Sequence, residues 1–192
     1  MNLIRKTILL SLFGVMLSVH VQAQKTFAVK TNVPHLATLT PNLGMEVAFG
    51  GKMTVEISGG YNLFTFADDT QWKHWILWPE VRYWIWEPFN GHLLGVHGVF
   101  AEFNVGGLDI PISRLAALKD RRYQGNVKGA GLSYGYAWIT GNNLLLEVTA
   151  GVGYARLNYD VFTKGTDGFK INEGRKHYIG PTKGAVSLVY VF

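Results

Sequence analysis

The chain is 192 residues long, has no cysteine, carries a formal net charge of +5, and is 14% aromatic but only 16% charged. Without cysteine it has neither a disulfide framework nor thiolate metal ligands, and so mild a charge with no Lys/Arg block excludes a phosphate-tracking nucleic-acid binder. The charged share falls below the roughly 25% of ordinary soluble domains, which leaves two classes: a large buried core, or a wall that turns every second side chain to lipid.

The first residues read as a targeting segment. Arg5 and Lys6 form a positive region, Thr7 to Val19 are nearly all apolar or small, and Val21-Gln22-Ala23 offers the small residues that a signal peptidase reads. Cleavage is expected after Ala23, leaving 24–192 as one domain; removing Arg5 and Lys6 lowers the net charge from +5 to +3. The apolar run is shorter than the roughly 20 residues of a spanning helix. No cysteine follows it to accept a lipid anchor.

The remaining chain alternates apolar and polar residues in eight stretches. Strand one is predicted from Thr26 to Ala37, with Phe27, Val29, Thr31 and Val33 on one face and Lys30 and Asn32 on the other. Strand two, Leu43 to Phe49, sets Leu43, Met45 and Val47 against Gly44, Glu46 and Ala48. Gly50-Gly51-Lys52 is a tight turn, because glycine accepts the positive φ that two-residue hairpins require. Strand three runs from Met53 to Asn62, and a loop follows over 63–73. In strand four, His74 to Trp86, Pro79 cannot donate to the ladder, so a bulge is expected there. Strand five is predicted over 92–105 and strand six over 123–139, with a loop between them at 106–122. Strand seven covers 144–159, a last loop 160–176, and strand eight 177–192. Short turns follow strands two, four and six, while larger connections follow strands three, five and seven, as in outer-membrane barrels.

The two faces decide between a soluble and a membrane barrel. A soluble eight-stranded barrel places apolar residues inside and charges outside. Here one face is bulky and apolar, with Tyr and Trp near strand ends, as in membrane girdles. The other carries Lys30, Glu46, Glu56, Glu80, Arg82, Glu147 and Lys183 among Gly, Ala, Ser and Thr, which suits a narrow lumen where the charges pair as a structural plug. Strand five fits least well, because Leu94, Val96 and Phe100 share a face with Glu102. Phe192, preceded at two-residue steps by Tyr190, Leu188 and Val186, is similar to the C-terminal signal read by the barrel assembly machinery. The expected fold is therefore all-β: an eight-stranded antiparallel transmembrane up-and-down β-barrel in the outer membrane of a Gram-negative bacterium.

Several segments carry a resemblance to a known family. Among them are Thr40-Pro41-Asn42-Leu43-Gly44, Ser58-Gly59-Gly60-Tyr61-Asn62, Pro79-Glu80-Val81-Arg82-Tyr83-Trp84, Gly151-Val152-Gly153-Tyr154-Ala155-Arg156 and Gly180-Pro181-Thr182-Lys183. They resemble small outer-membrane barrels of Bacteroides-type bacteria, a family with no assigned reaction, over nearly all of the mature chain. The resemblance implies an association with fimbrial or surface-protein gene clusters. Loops 108–121 and 163–174 lie outside it.

Candidate chemistry is sparse. His92 and His97 are five apart, so on a strand they face opposite sides and cannot share a metal. His35, His177 and Asp160 fall near the outer rim and form the one candidate hydrolytic or metal grouping, since a histidine near neutrality can act as a base. Ser133 and Ser187 lie on lumen faces and no histidine is set beside a serine by sequence, so no catalytic, cofactor or metal site is expected. Loop cations, among them Arg114, Lys119, Arg122, Lys170 and Arg175, are suited to lipopolysaccharide phosphates. The expected function is non-enzymatic: a surface or assembly component that binds a partner protein, a fimbrial subunit being one such partner. Its contacts would come from loops 63–73, 106–122 and 160–176, through Leu63, Phe64, Phe66, Leu115, Leu118 and Phe169. The alternatives are a lipid A-modifying enzyme and a purely structural envelope barrel.

Overall fold

A computed structural model describes residues 26–65, 70–107, 118–165 and 168–192; the expected signal segment, 1–23, lies outside the described residues. The described chain forms eight strands and one short helix: β1 Phe27–Asn32, α1 Val33–Ala37, β2 Asn42–Phe49, β3 Met53–Thr65, β4 Gln71–Trp84, β5 Gly91–Gly106, β6 Arg121–Ile139, β7 Leu144–Thr163 and β8 Lys170–Val191. Each strand pairs antiparallel with its sequence neighbours, and β8 returns to β1 to close an up-and-down ring. Closure leaves alternate side chains in a narrow interior, and the polar face points inward. The bulky face points out: Leu43, Val96, Leu132 and Val152 are all more than half exposed.

The wall is uneven in height. β1 has 6 residues and β2 has 8, whereas β6, β7 and β8 have 19, 20 and 22. At ~3.3 Å per residue, the tall side rises well above the short one. Two predicted loops are accordingly strand for much of their length: 63–73 continues β3 and starts β4, and 160–176 completes the β7–β8 hairpin. Along these extensions apolar residues stand side by side, Leu63 with Phe64 and Val161 with Phe162, so the alternation is lost in the sequence while strand pairing continues.

Strand one is shorter than predicted because Asn32 ends it. The Asn42 side chain takes the place of a strand partner: its Oδ1 accepts from the Asn32 amide at 2.6 Å and its Nδ2 donates to the Asn32 carbonyl at 3.0 Å. Pro34, whose ring presets a helical φ and whose missing N–H costs nothing in a first turn, then leads α1. The turn after the helix is held to β3 by Asn62, which donates to the Leu39 carbonyl at 2.8 Å.

The expected bulge at Pro79 is not present. The β4–β5 register is the same on both sides of it, from Leu77↔Phe100 to Glu80↔His97, with an unpaired gap between. The Pro79 ring lies against Gly98, where a side chain would crowd it. The bulge belongs instead to β8, where Lys183 faces Gly151 but Pro181 faces Val152, leaving Thr182 as the extra residue. A second irregularity falls between Val161 and Phe162.

Candidate functional site

The interior is filled in three tiers. At the end of the barrel that holds the chain terminus, Trp84, Leu93, Leu145, Val189 and Val191 form an apolar floor. Phe89 joins it from the β4–β5 turn, packing on Trp84 with ring centroids 5.9 Å apart. Its φ of +67° is a conformation that non-glycine residues seldom adopt, and the apolar burial of the ring offsets that cost.

The charged tier lies above the floor, and it gathers all seven lumen residues singled out from sequence. Lys30 Nζ meets Glu46 at 2.5 Å, Glu56 at 3.0 Å and Glu147 at 3.1 Å. Arg82 holds four carboxylates: Glu46 at 3.0 Å, Glu80 at 2.9 Å, Glu147 at 3.1 Å, and Glu56 through Nη2. Lys183 bridges Glu80 at 2.5 Å and Glu56 at 3.2 Å. Three cations thus face four carboxylates. Hydroxyl donors supply the remaining hydrogen bonds, with Ser58 on Glu56 at 2.7 Å, Thr149 on Glu147 at 3.2 Å, Thr54 on Glu46 and Ser133 on Glu80. So buried a set fixes register, because each charge is compensated only when every strand is in place.

The third tier is a crossbar that the sequence reading missed. Trp78 reaches across the lumen from β4, its Nε1 donating to the Thr182 carbonyl on β8 at 3.1 Å. The β8 bulge also aims the Thr182 hydroxyl inward, 2.9 Å from His97 Nε2. Gly131 and Gly151 leave room for the His97 ring; a Cβ on either would approach Cε1 within 2.8 Å and 2.7 Å respectively. His35 stacks on Trp78 with centroids 5.4 Å apart, so α1 lies over the tier. The space left beside these groups is about 30 Å³, room for roughly one water molecule. The signal for Trp78 was available in the sequence: it shares strand parity with Glu80 and Arg82.

The candidate histidine grouping at the rim does not assemble. His35 faces the lumen on Trp78, His177 points outward to the Tyr154 hydroxyl, and Asp160 pairs with Lys170 at 2.9 Å. His92 and His97 do face opposite ways, His92 outward beside Tyr134 and Tyr136 and His97 into the lumen. Ser133 lies in the lumen, as its parity implies. The misfit Glu102 sits outside and accepts from Trp75 Nε1 at 3.0 Å.

The expected partner contacts are scattered. Leu63 and Phe64 stand on β3 rather than in a loop, at 68% and 50% exposure, and Phe169 starts the return of the β7–β8 hairpin at 81%. Leu118 is half-buried, and Phe66 and Leu115 lie outside the described residues. Several loop cations are strand residues with local partners. Arg122 lies 4.4 Å over the Phe162 ring, Lys170 also bonds Glu173 at 2.7 Å, and Arg175 donates to Asn158 at 3.1 Å.

On the upper outer wall a concavity of about 560 Å³ runs across β3 to β7. Trp75, Glu102, Asn126, Asn158 and Arg175 stand opposite one another in a single cross-strand row through it and beside it. One step below, Lys128 is opposite Arg156, and Arg156 is opposite His177. All three are exposed, and neither Lys128 nor Arg156 has a carboxylate partner among the described residues.

A family described as "Protein of unknown function (DUF3575)" matches residues 7–192. No curated protein and no solved structure matches the chain.

Proposed function

The chain belongs to that family of unknown function, and we propose that it is a non-enzymatic barrel of a Gram-negative outer membrane that acts through its extracellular end. Export by residues 1–23 and insertion through a C-terminal strand ending in Phe192 are part of this reading. The observation that carries it is the inversion of the usual soluble pattern: charges fill the interior while Leu, Val, Ile and aromatic side chains cover the outside. An apolar outer band of that kind is stable in hydrocarbon, where a closed ring is the one sheet form that satisfies every backbone group. In water it would be an aggregation surface.

The filled lumen directs function outward. With an apolar floor, a charged middle tier and the Trp78 crossbar, the interior leaves no room for a solute, so the lumen plays a structural part. Partner binding then falls to the upper rim, where Leu63 and Phe64 at the end of β3 and Phe169 at the β7–β8 tip are exposed. A surface or fimbrial protein is the partner class this reading names.

Two experiments test it. Photo-crosslinking from position 169 in intact cells should capture one defined protein; capture of none, with the barrel present at the surface, would exclude protein recognition at this tip. Fractionation tests the location, since the protein should resist detergent-free extraction and run at a heat-dependent position on gels. A chain that stays in the soluble periplasmic fraction would overturn the membrane reading itself.

A further inference from the structure

We infer that the outer wall of β6, β7 and β8 is a binding site for a phosphorylated glycolipid, with phosphate on Lys128, Arg156 and His177 and sugar in the concavity above. This rests on the membrane reading given above.

The first observation is electrostatic. Lys128 and Arg156 occupy directly opposed positions on neighbouring strands. Like charges so placed repel, and the pair is destabilising unless something anionic lies between. His177 extends the row to a third strand. Among the described residues no acid pairs with either: on this face Asp160 is taken by Lys170, and Glu102, which keeps its charge while accepting from Trp75, stands in the row above. A phosphate monoester brings a charge of about −1.5 to −2 and three acceptor oxygens, which matches a site of this charge and strand spacing.

The second observation is shape and chemistry. The concavity of about 560 Å³ begins one step above the cations, at Asn126 and Asn158. Its volume falls within the usual range for small-molecule sites, roughly 300–1,000 Å³. Its lining sets aromatic faces, Tyr61 and Trp75, beside amide and carboxylate groups, Asn104, Asn126, Asn158 and Glu102. Flat rings for the apolar face of a pyranose and side-chain amides for its hydroxyls are the combination a sugar requires.

The third observation is what lies below. Leu132, Val152 and Ile179 are 64%, 62% and 85% exposed on the same three strands. They offer acyl chains an apolar wall beneath the basic row, Ile179 one step down and Leu132 and Val152 two. A molecule whose phosphorylated sugar stands directly over its acyl chains meets all three zones at once; a free phosphate satisfies only the middle one.

The test uses the full mature barrel in detergent micelles, with bis-phosphorylated lipid A as probe and native mass spectrometry as readout. Wild type should retain one lipid A through detergent exchange. The double variant Lys128→Gln/Arg156→Gln should retain at least tenfold less, and Asn126→Ala/Asn158→Ala several-fold less. The Lys128→Gln/Arg156→Gln barrel should also unfold at a higher temperature than wild type when no lipid is present, because its repulsion is gone, and should lose the rise that lipid A gives wild type. This second readout separates a lost site from a misfolded barrel. Equal retention by wild type and both double variants would overturn the inference. Displacement of lipid A by millimolar inorganic phosphate would reduce the site to a simple anion site and overturn the glycolipid assignment. A barrel that inserts into vesicles yet retains no lipid A defeats this inference alone, whereas one that does not insert defeats the membrane reading as well.

Discussion

Replacing Arg82 by methionine is the sharpest probe of the lumen. The guanidinium is 1% exposed and reaches Glu46, Glu56, Glu80 and Glu147, so no other described residue touches as many charges. Its loss leaves Lys30 and Lys183 facing four carboxylates, and the excess of negative charge rises from one to two. Breaking a buried ion pair by removing one partner costs about 3–5 kcal/mol, and four carboxylates depend on this one cation, so Arg82→Met should sit at the upper end of that range. Urea unfolding in phospholipid vesicles, followed by tryptophan fluorescence, measures the change, because Trp78 and Trp84 lie within the lumen. Adding Glu147→Gln returns the excess to one. The double variant should recover about 1–2 kcal/mol, a coupling of the size expected for groups in one network. A loss under ~1 kcal/mol for Arg82→Met, or a double variant less stable than the single, would refute the reasoning that charge balance holds these strands together.

Three further outcomes are expected. The purified barrel should show no steady conductance in planar bilayers, since the cavity beside its charged tier holds about 30 Å³; stable open channels would contradict a filled lumen. Burial of His35 against Trp78 pushes its imidazole below the ordinary value of 6.5. The folded state then binds fewer protons than the unfolded one between the two values, so stability rises with pH there and falls as pH drops below about 6.5. Urea midpoints taken from pH 7.5 down to pH 5 should decline in wild type more than in His35→Gln, and identical slopes would remove His35 as the cause. Gly95→Ala should destabilise the barrel by about 1–3 kcal/mol, because the added methyl would overlap the Glu80 carboxylate and the Ser133 hydroxyl; an unchanged unfolding curve would mean that the tier can yield.

Much of the ring was legible because its two faces differ so strongly. Glu46, Glu56, Glu80 and Arg82 interrupt otherwise apolar alternation, so parity alone assigned them to one side. What failed was whatever parity does not encode. The predicted strand one runs on through Val33 to Ala37 although the alternation fails there, with His35 on the apolar face and Leu36 on the polar one, and the helix follows from Pro34 together with the Asn32–Asn42 amide pairing, which joins residues ten apart. The bulge at Thr182 was missed because the extra residue is defined by its partner strand, and Pro79 drew attention to the wrong proline. The tall extensions of β7 and β8 set apolar residues next to one another, as at Val161 and Phe162, among polar ones, so no hydrophobic period marks them. The basic row was invisible for a related reason: Lys128, Arg156 and His177 become neighbours only through the register of three strands.

The uneven rim leaves the ring joined unequally around its circumference. β1 is paired with β8 only along Ala28–Asn32 and Ser187–Val191, while β8 runs on upward from Ser187 to Lys170 with β7 on one flank alone. Above the joint the cylinder becomes a curved open sheet whose final strand shows its outer margin. Unguarded margins invite another chain to add itself, and the features along this one suit a guarded margin: α1 lies against β8, Asn32 caps the stretch just above the joint through Gly184 and Val186, and Pro181 removes a donor. The closing joint is therefore the short, easily zipped part of the molecule, and the tall margin beside it is kept from zipping to anything by default.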